Sequence, residues 1–179
     1  MLDRRSALAT AHPFSWAALT LGEVRNFTLT QVAGFGGFEA DVASVAGALP
    51  TSNDQAGDSN GRTIFRTGPQ SFWFVGPDND DLAAKLAGPG NHGAIVTPLS
   101  SSRTRISIEG RAARDLLRKG IPIDLHESVF TPGKFAMTGL HHTPVLLHCT
   151  AEQRFELYVM RTFAMNVWEW LEDAALEFK

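Results

Sequence analysis

The residues best suited to metal binding or nucleophilic catalysis are six histidines and a single cysteine. His141 and His142 are adjacent, so in an extended segment they point to opposite faces and cannot easily hold one ion together. They fall in a predicted turn, where we expect them to be solvated. His148 and Cys149 are predicted to lie on opposite faces of a strand, and no neighbouring residue marks Cys149 as a nucleophile. The pattern therefore contains no convincing catalytic constellation.

Two arginines and one aspartate are the charged residues whose positions suggest binding. Arg103 and Arg105 are predicted to share one face of a strand, where they can hold an anion or a partner's carboxylate. A solvated sheet face is the alternative interpretation. Asp124 follows a predicted helix between apolar neighbours, where partial burial would disfavour its charged form. Its alternative role is capping or turn formation.

The last predicted helix carries a tryptophan, Trp170, on its polar face rather than in its apolar stripe. A tryptophan in that position is typical of an interface anchor, although a covering N-terminal arm would also bury it. Residues 1–22 are predicted to form such an arm, which is irregular but too apolar to be a free tail. We expect this arm to lie on its own domain or on a partner. The predicted partner interface consists of Trp170, Trp16, Arg103 and Arg105.

Composition and charge narrow the classes of protein. The chain has 179 residues, of which 44% are hydrophobic and 20% are charged, as is ordinary for a soluble globular protein. A formal charge of -3 argues against nucleic acid as the main partner. No apolar run approaches a membrane span, the N-terminus lacks a signal-peptide core, and one cysteine allows no disulfide framework. We therefore expect a cytoplasmic protein that binds neither nucleic acid nor membrane.

The elements that position these residues are organised around residues 102–126. Residues 104–109 alternate between polar and apolar side chains, which predicts a strand with one buried face. Gly110 then allows a turn, and the apolar spacing becomes that of an amphipathic helix. Gly120 caps this helix, and Pro122 prevents it from resuming. The result is a strand, a tight turn, a helix and an extended exit.

This order of elements occurs twice in the chain. QSFWFVGPDNDDLAAKL (70–86) corresponds in pattern to RFELYVMRTFAMNVWEWL (154–171), and FTLTQVAGFGGFEADVASVA (27–46) corresponds to TRISIEGRAARDLLRKG (104–120). Hairpin-like strand pairs outnumber strand–helix–strand units, which disfavours a doubly wound parallel fold. We therefore predict an α+β fold with mostly antiparallel sheet and two pseudo-repeated strand-helix-strand-strand-helix halves. The predicted organisation is an arm (1–22) and a single domain (23–179) made of two repeats (23–91 and 92–179).

Three stretches carry a resemblance to a known family. They are RTRISIEGRAARDLLRKGIPIDLH (103–126), GKFAMTGLHHTPVLLH (133–148) and RFELYVMRTFAMNVWEWLEDAA (154–175). Together they resemble the gamma subunit of heterotetrameric sarcosine oxidase, with a looser match in GEVRNFTLTQVAGF and QSFWFVGP. That subunit is itself similar to the folate-binding module of the glycine-cleavage aminomethyltransferase. The resemblance therefore implies an aminomethyltransferase folate-binding-domain-like fold.

The resemblance also implies a function and a set of partners. It implies a non-catalytic, structural and assembly subunit of a flavin-dependent complex that oxidatively demethylates sarcosine to glycine in sarcosine catabolism. The implied partners are the alpha, beta and delta subunits. The larger subunits would carry FAD, FMN, NAD and tetrahydrofolate, a small subunit would carry zinc, and this chain would bind no cofactor.

The same resemblance assigns Asp124 a role. By its position after the helix, Asp124 matches the aspartate that aminomethyltransferases use at their folate site, and we expect it to be a weak analogue of that residue. The glycine-rich hairpin tip that follows in those enzymes is replaced here by LHHTPVLLH (140–148). One alternative function is a free-standing tetrahydrofolate-binding protein of the aminomethyltransferase type. Another is the equivalent subunit of a related N-methyl amino acid oxidoreductase, whose substrate pocket would lie on another chain.

Overall fold

The fold was analysed in a computed structural model that describes residues 5–88 and 93–179. These residues form two compact units, each built on its own sheet. The terminal unit contains the chain up to Arg25 together with Ser102–Lys179, and the central unit is Asn26–Ser101. Neighbouring strands are antiparallel throughout both sheets as described. The predicted α+β class with mostly antiparallel sheet is therefore confirmed.

The elements follow the predicted order closely. The strands are β1 (Phe14–Ser15), β2 (Thr20–Val24), β3 (Phe27–Gly34), β4 (Gly57–Ser59), β5 (Arg62–Gly68), β6 (Ser71–Pro77), β7 (Ala94–Pro98), β8 (Arg103–Glu109), β9 (Phe135–Leu140), β10 (Thr143–Ala151) and β11 (Arg154–Met160). The helices are α1 (Phe38–Ala46), α2 (Leu82–Leu86), α3 (Ala113–Arg118) and α4 (Ala164–Ala175), and short 3-10 turns flank α4 at Arg161–Phe163 and Leu176–Phe178. None of the helices in the described ranges has the length and apolarity needed to cross a membrane.

The central unit is a five-stranded sheet in the order β4-β5-β6-β3-β7. Its core is formed where α1 and α2 pack on one face of the sheet, because both helices place apolar residues at helical spacing. Strand β6 is apolar on both faces, and its residues Phe72 to Val75 are all buried. Burial on both faces indicates a strand that is covered on each side. The main side chains of this core are Val32, Phe38, Val42, Ile64, Phe72, Phe74, Leu82 and Leu86.

The terminal unit is a six-stranded sheet in the order β1-β2-β8-β11-β10-β9. The alternation predicted for β8 is present, because Ile106 and Ile108 are completely buried against the core that α3 and α4 cover. Gly110 follows with a φ of 125°, which a residue with a side chain rarely adopts, so glycine permits the tight turn into α3. The strand, turn and helix predicted for residues 102–126 are therefore confirmed.

The N-terminal residues differ from the predicted irregular arm. Strands β1 and β2 form a hairpin there, and β2 pairs with β8 in the terminal sheet. Leu19 and Leu21 are buried, which explains why this segment is too apolar for a free tail. Strand β7, which the sequence division assigns to the second repeat, pairs with β3 in the central sheet. The structure thus changes unit after residues 25 and 101, because strand pairing decides membership and local sequence pattern does not.

Candidate functional site

The most buried charged group of the terminal unit is an ion pair between the neighbouring strands β8 and β11. Arg105 donates from Nε to Glu156 Oε2 over 3.0 Å and from Nη2 to Glu156 Oε1 over 2.5 Å. The side chain of Glu156 is only 5% exposed. Tyr158 donates its hydroxyl to Glu156 Oε2 over 3.0 Å, and the Arg105 guanidinium carbon lies 5.6 Å from the Tyr158 ring centre. The carboxylate predicted for Arg105 is therefore supplied by its own chain.

Burial and charge fix the protonation states of Arg105 and Tyr158. Burial lowers the pKa of Arg105, but Tyr158 and Glu156 outweigh that effect, so the pKa is raised overall. Burial raises the pKa of Tyr158 well above its ordinary value, so the hydroxyl stays protonated and continues to donate. His148 is buried next to the pair, with Nδ1 4.0 Å from Glu156 Oε2. Groups held in these states stabilise the sheet and are poorly suited to proton transfer near neutral pH.

The other predicted interface residues make contacts that do not involve the Arg105–Glu156 pair. Arg103 Nη1 donates to the carbonyl oxygen and to the hydroxyl of Ser102 over 3.3 and 3.2 Å, and burial lowers the pKa of Arg103. The Trp16 ring stacks on Phe14 with ring centres 4.1 Å apart, and the Lys179 ammonium lies 5.9 Å from the Trp16 ring centre. Trp16 is half-buried, so part of this stacked pair is accessible.

Trp170 is half-buried, and contacts from two turns account for its packing. A Cβ atom added to Gly120 would lie 2.6 Å from Trp170 Cη2, so the indole rests directly on that glycine. The His141 ring is stacked 6.5 Å away at the turn between β9 and β10. The prediction that this turn carries solvated histidines is confirmed, because His141 and His142 are both exposed. The turn after α3 and the β9–β10 hairpin thus hold Trp170 in place.

Asp124 is exposed, so the expectation of partial burial is wrong. Its Oδ1 accepts the backbone N–H of His126 over 2.8 Å, which is the hydrogen bond of an Asx turn. His126 Nδ1 and Ser128 Oγ lie 2.8 Å apart and extend the turn. The alternative role in turn formation is the one that the structure shows.

A polar cleft of about 440 Å³ adjoins this turn. Arg114 holds its wall together by donating from Nη1 to the Leu125 carbonyl over 2.8 Å and from Nη2 to the Glu152 carbonyl over 3.3 Å. The sequence pattern did not single out Arg114, although an arginine in the first turn of a helix opposes the helix dipole and so indicates another role. The cleft is lined by Gly110, Arg111, Arg114, Glu127, Ser128, Thr131, Pro132, Glu152 and Gln153.

Cys149 is completely buried, and its thiol lies 3.2 Å from the Ala151 carbonyl oxygen. Burial raises the pKa of this thiol although Arg114 opposes the shift, so Cys149 is not poised as a thiolate. Among residues 5–88 and 93–179, no three His, Cys, Asp or Glu side chains are grouped so that they could hold a metal ion.

The two units together define the class of fold. A solved structure of the glycine cleavage system aminomethyltransferase T from Bartonella henselae matches 87% of this chain and 45% of that chain, with a TM-score of 0.66. The identity is 16%, so this likeness concerns the fold alone. It confirms the predicted aminomethyltransferase-like fold.

Closer relatives define the family. The model of the sarcosine oxidase gamma subunit family matches residues 67–177. The sarcosine oxidase subunit gamma of Corynebacterium sp. (strain U-96) is 34% identical over 178 residues, which cover 97% of this chain and 87% of that protein. The subunit gamma of Arthrobacter sp. is 32% identical, over 96% of this chain and 87% of that protein. This chain therefore belongs to the sarcosine oxidase gamma subunit family, and the resemblance is confirmed.

A solved structure agrees with this assignment. A chain of the heterotetrameric sarcosine oxidase from Corynebacterium sp. U-96, in complex with pyrrole 2-carboxylate, is 31% identical to this chain. The match covers 98% of this chain and 96% of that chain, with a TM-score of 0.88. Family and fold are thus shared over nearly the whole length of both chains.

Proposed function

We propose that this chain is the non-catalytic gamma subunit of a heterotetrameric, flavin-dependent sarcosine oxidase. In this role it is a structural and assembly component of a complex that oxidatively demethylates sarcosine to glycine. The observation that carries the proposal is the full-length likeness to a chain of the solved heterotetramer. The chemistry of the described side chains supports it, because Arg105, Tyr158 and Cys149 are held in states that suit packing.

The proposal assigns the chemistry to other subunits. The partners are the alpha, beta and delta subunits, with FAD, FMN, NAD and tetrahydrofolate on the larger ones and zinc on a small one. The complex is proposed to be cytoplasmic and to act in sarcosine catabolism. The equivalent subunit of a complex for another N-methyl amino acid would have the same role, and the substrate range of the complex distinguishes the two.

We assign the partner-facing residues from their exposure. Trp16 and Trp170 are half-buried aromatic side chains, which suits the edge of an interface. Arg103 lies on the face of β8 opposite to Ile106 and Ile108 and is proposed to contact a partner there separately. Arg105 contributes through its bond to Glu156, which holds β8 against β11. Asp124 is proposed to be a weak analogue of the folate-site aspartate, because its Oδ1 already accepts a backbone N–H.

Co-expression with the other three subunits tests the proposal. The tagged chain is expressed with the alpha, beta and delta subunits from the same source, purified, and assayed for flavin absorbance and sarcosine-dependent peroxide formation. We expect a yellow complex that oxidises sarcosine. A colourless chain recovered alone would refute the subunit role.

A tetrahydrofolate titration separates the free-standing alternative from the subunit role. We expect the isolated chain to show no saturable tetrahydrofolate binding. Saturable binding that Asp124→Asn abolishes would favour the free-standing folate-binding protein. His126→Ala is the matched control, because it changes the same turn but keeps the carboxylate.

A further inference from the structure

The two sheets differ at one pair of equivalent edges. Strands β3 and β8 are equivalent, since each leads through a glycine into the first helix of its unit. On the outer side of β3 lies β7, and on the outer side of β8 lies β2. Strand β2 is covered in turn by β1, whereas no strand within residues 5–88 and 93–179 pairs with the outer edge of β7. Within the described part of the chain, the position that β1 occupies in the terminal sheet is therefore open in the central sheet.

The direction of the backbone groups on β7 follows from its hydrogen bonds to β3. Phe35 donates its N–H to the Gly93 carbonyl over 3.3 Å, and Leu99 donates its N–H to the Leu29 carbonyl over 2.7 Å. In an antiparallel pair, every second residue directs both its N–H and its C=O toward the neighbouring strand. Because the backbone groups of Gly93 and Leu99 face β3, those at positions 95 and 97 face it too. The N–H and C=O groups at positions 94 and 96 consequently point outward from the sheet.

The equivalent strand of the terminal sheet, β2, shows how outward-pointing N–H and C=O groups are paired. Leu21 pairs with Ile108 just as Val96 pairs with Val32, so Leu21 and Val96 hold the same position. Leu21 lies opposite Phe14 of β1. Two residues before Leu21, Leu19 exchanges backbone hydrogen bonds with Trp16 over 2.8 and 3.4 Å. Backbone groups at this edge of the terminal sheet are thus satisfied by an added strand.

The open edge is also apolar. Ile95 is 58% exposed, and Phe35, whose N–H bonds to Gly93 beside it, is 73% exposed. An exposed, apolar edge strand is a template for pairing with another chain, and proteins normally cover or charge such edges. At the far end, Pro98 has no N–H, which restricts outward donation to Ala94 and Val96.

We propose that the outer edge of β7 accepts an extended segment of another subunit of the heterotetramer. The added strand would occupy the position that β1 holds in the terminal sheet, with main-chain hydrogen bonds to Ala94 and Val96. Its chemistry is that of an uncharged strand with apolar side chains at alternate positions, as are Phe14 of β1 and Trp16 directly after it. This inference rests on the proposed function, since four different subunits leave no second gamma chain to pair with.

Amide hydrogen exchange tests the added strand directly. We expect the amides of Ala94 and Val96 to exchange about tenfold or more slowly in the assembled complex than in the isolated chain. The amide of Ile95 is the internal control, because it already faces β3 in both samples. Equal exchange of the Ala94 and Val96 amides in the two samples would overturn the proposal.

Two pairs of variants test the same edge through assembly. Val96→Pro removes an outward N–H, whereas Val96→Ala keeps it and loses a similar amount of side-chain packing. Ile95→Lys places a charge on β7, and Met137→Lys places one on β9, the edge strand of the other sheet, at a residue that is 55% exposed. We expect the Pro and Ile95 variants to weaken binding of the other subunits about tenfold, and each control to change it less than about twofold.

The outcomes separate this inference from the proposed function. Failure of the wild-type chain to assemble would refute both. Wild-type assembly with no difference between Val96→Pro and Val96→Ala, or with Met137→Lys as damaging as Ile95→Lys, would refute the edge pairing alone. Dimers of the isolated chain that Val96→Pro dissolves would show a second copy at this edge and would also overturn the proposal.

Discussion

The central and terminal sheets share one strand order, but one position is filled by the last strand of the central unit and by an early strand of the terminal unit. The order β4-β5-β6-β3-β7 of the central sheet corresponds to β9-β10-β11-β8-β2 of the terminal sheet. Strand β7 follows the second helix of its unit, whereas β2 precedes every other element of the terminal sheet except β1. The difference teaches that strand pairing, and not the order of the chain, defines the repeat.

The two units also place their arginine–carboxylate pairs differently. Arg105 and Glu156 join two strands of the terminal sheet. In the central unit, Arg62 binds Asp80 over 2.6 and 2.5 Å at the entry to α2, and Asp80 Oδ1 also accepts the Leu82 N–H over 3.0 Å. One pair therefore secures a sheet, and the other secures the start of a helix.

The largest effect is expected when the terminal pair is broken. Glu156→Gln leaves the Arg105 guanidinium largely buried without its carboxylate, which should lower the free energy of unfolding by about 3–5 kcal/mol. Urea unfolding followed by circular dichroism measures this change. The double variant Arg105→Leu/Glu156→Leu is the control, because it removes both charges. A double variant as unstable as the single one would contradict the explanation.

A smaller effect is expected from the central pair. Asp80→Asn loses the charge that binds Arg62 and caps α2, which should lower the free energy of unfolding by about 1.5–3 kcal/mol. Asp81→Asn is the control, because that side chain is 58% exposed and its pair with Lys85 should contribute little. If Asp81→Asn were equally destabilising, general loss of negative charge would explain the result.

The same pair predicts an acid dependence. The hydrogen bond from Arg62 holds the pKa of Asp80 below its ordinary value of 3.8. The stabilisation is therefore complete above pH 3.8 and is lost as the pH falls through the lower pKa of the folded state. Asp80→Asn should flatten this part of the acid-unfolding curve, and an unchanged curve would assign the acid sensitivity to other carboxylates.

A still smaller effect should come from the glycine under Trp170. Gly120→Ala places a methyl group against the indole and should cost about 1–2 kcal/mol through overpacking. Gly68→Ala in the central sheet is the control, because its Cβ would meet Ser71 Cβ at 3.6 Å, an ordinary contact. Thermal unfolding measures both variants. Equal costs would show that contact with Trp170 does not explain the loss of stability.

The smallest effect is expected for the labelling of Cys149, because its thiol should react very slowly in the native chain. The chain has one cysteine, so Ellman's reagent labels the terminal unit alone. We expect rapid labelling in urea and very slow labelling in buffer, because the thiol is buried and its pKa is raised. Rapid stoichiometric labelling of the native chain would show that this part of the core opens readily.

Sequence patterns did not predict the contacts that residues of the candidate site make with residues far away in the chain. For Arg105, an anion, a partner's carboxylate and a solvated face were the alternatives, but its actual partner Glu156 lies 51 residues away in the same chain and is reached only because β8 and β11 are neighbours. Arg114 of α3 likewise contacts Glu152, which lies 38 residues away in the turn between β10 and β11. Asp124 was expected to be partly buried, yet the turn it forms with His126 faces solvent. Strand order decides such contacts, and a local pattern contains no information about it.

The sequence by itself determined the type and order of the elements, the correspondence of residues 70–86 with 154–171, and the family. It could do so because a buried face repeats every second residue in a strand and at helical spacing in a helix. Tertiary structure alone decided that β2 joins β8, that β7 joins β3, and that the outer edge of β7 stays open within the described chain. The physical reason is that backbone hydrogen bonds between strands are alike for every sequence, so the strand that pairs is chosen by packing across the whole sheet.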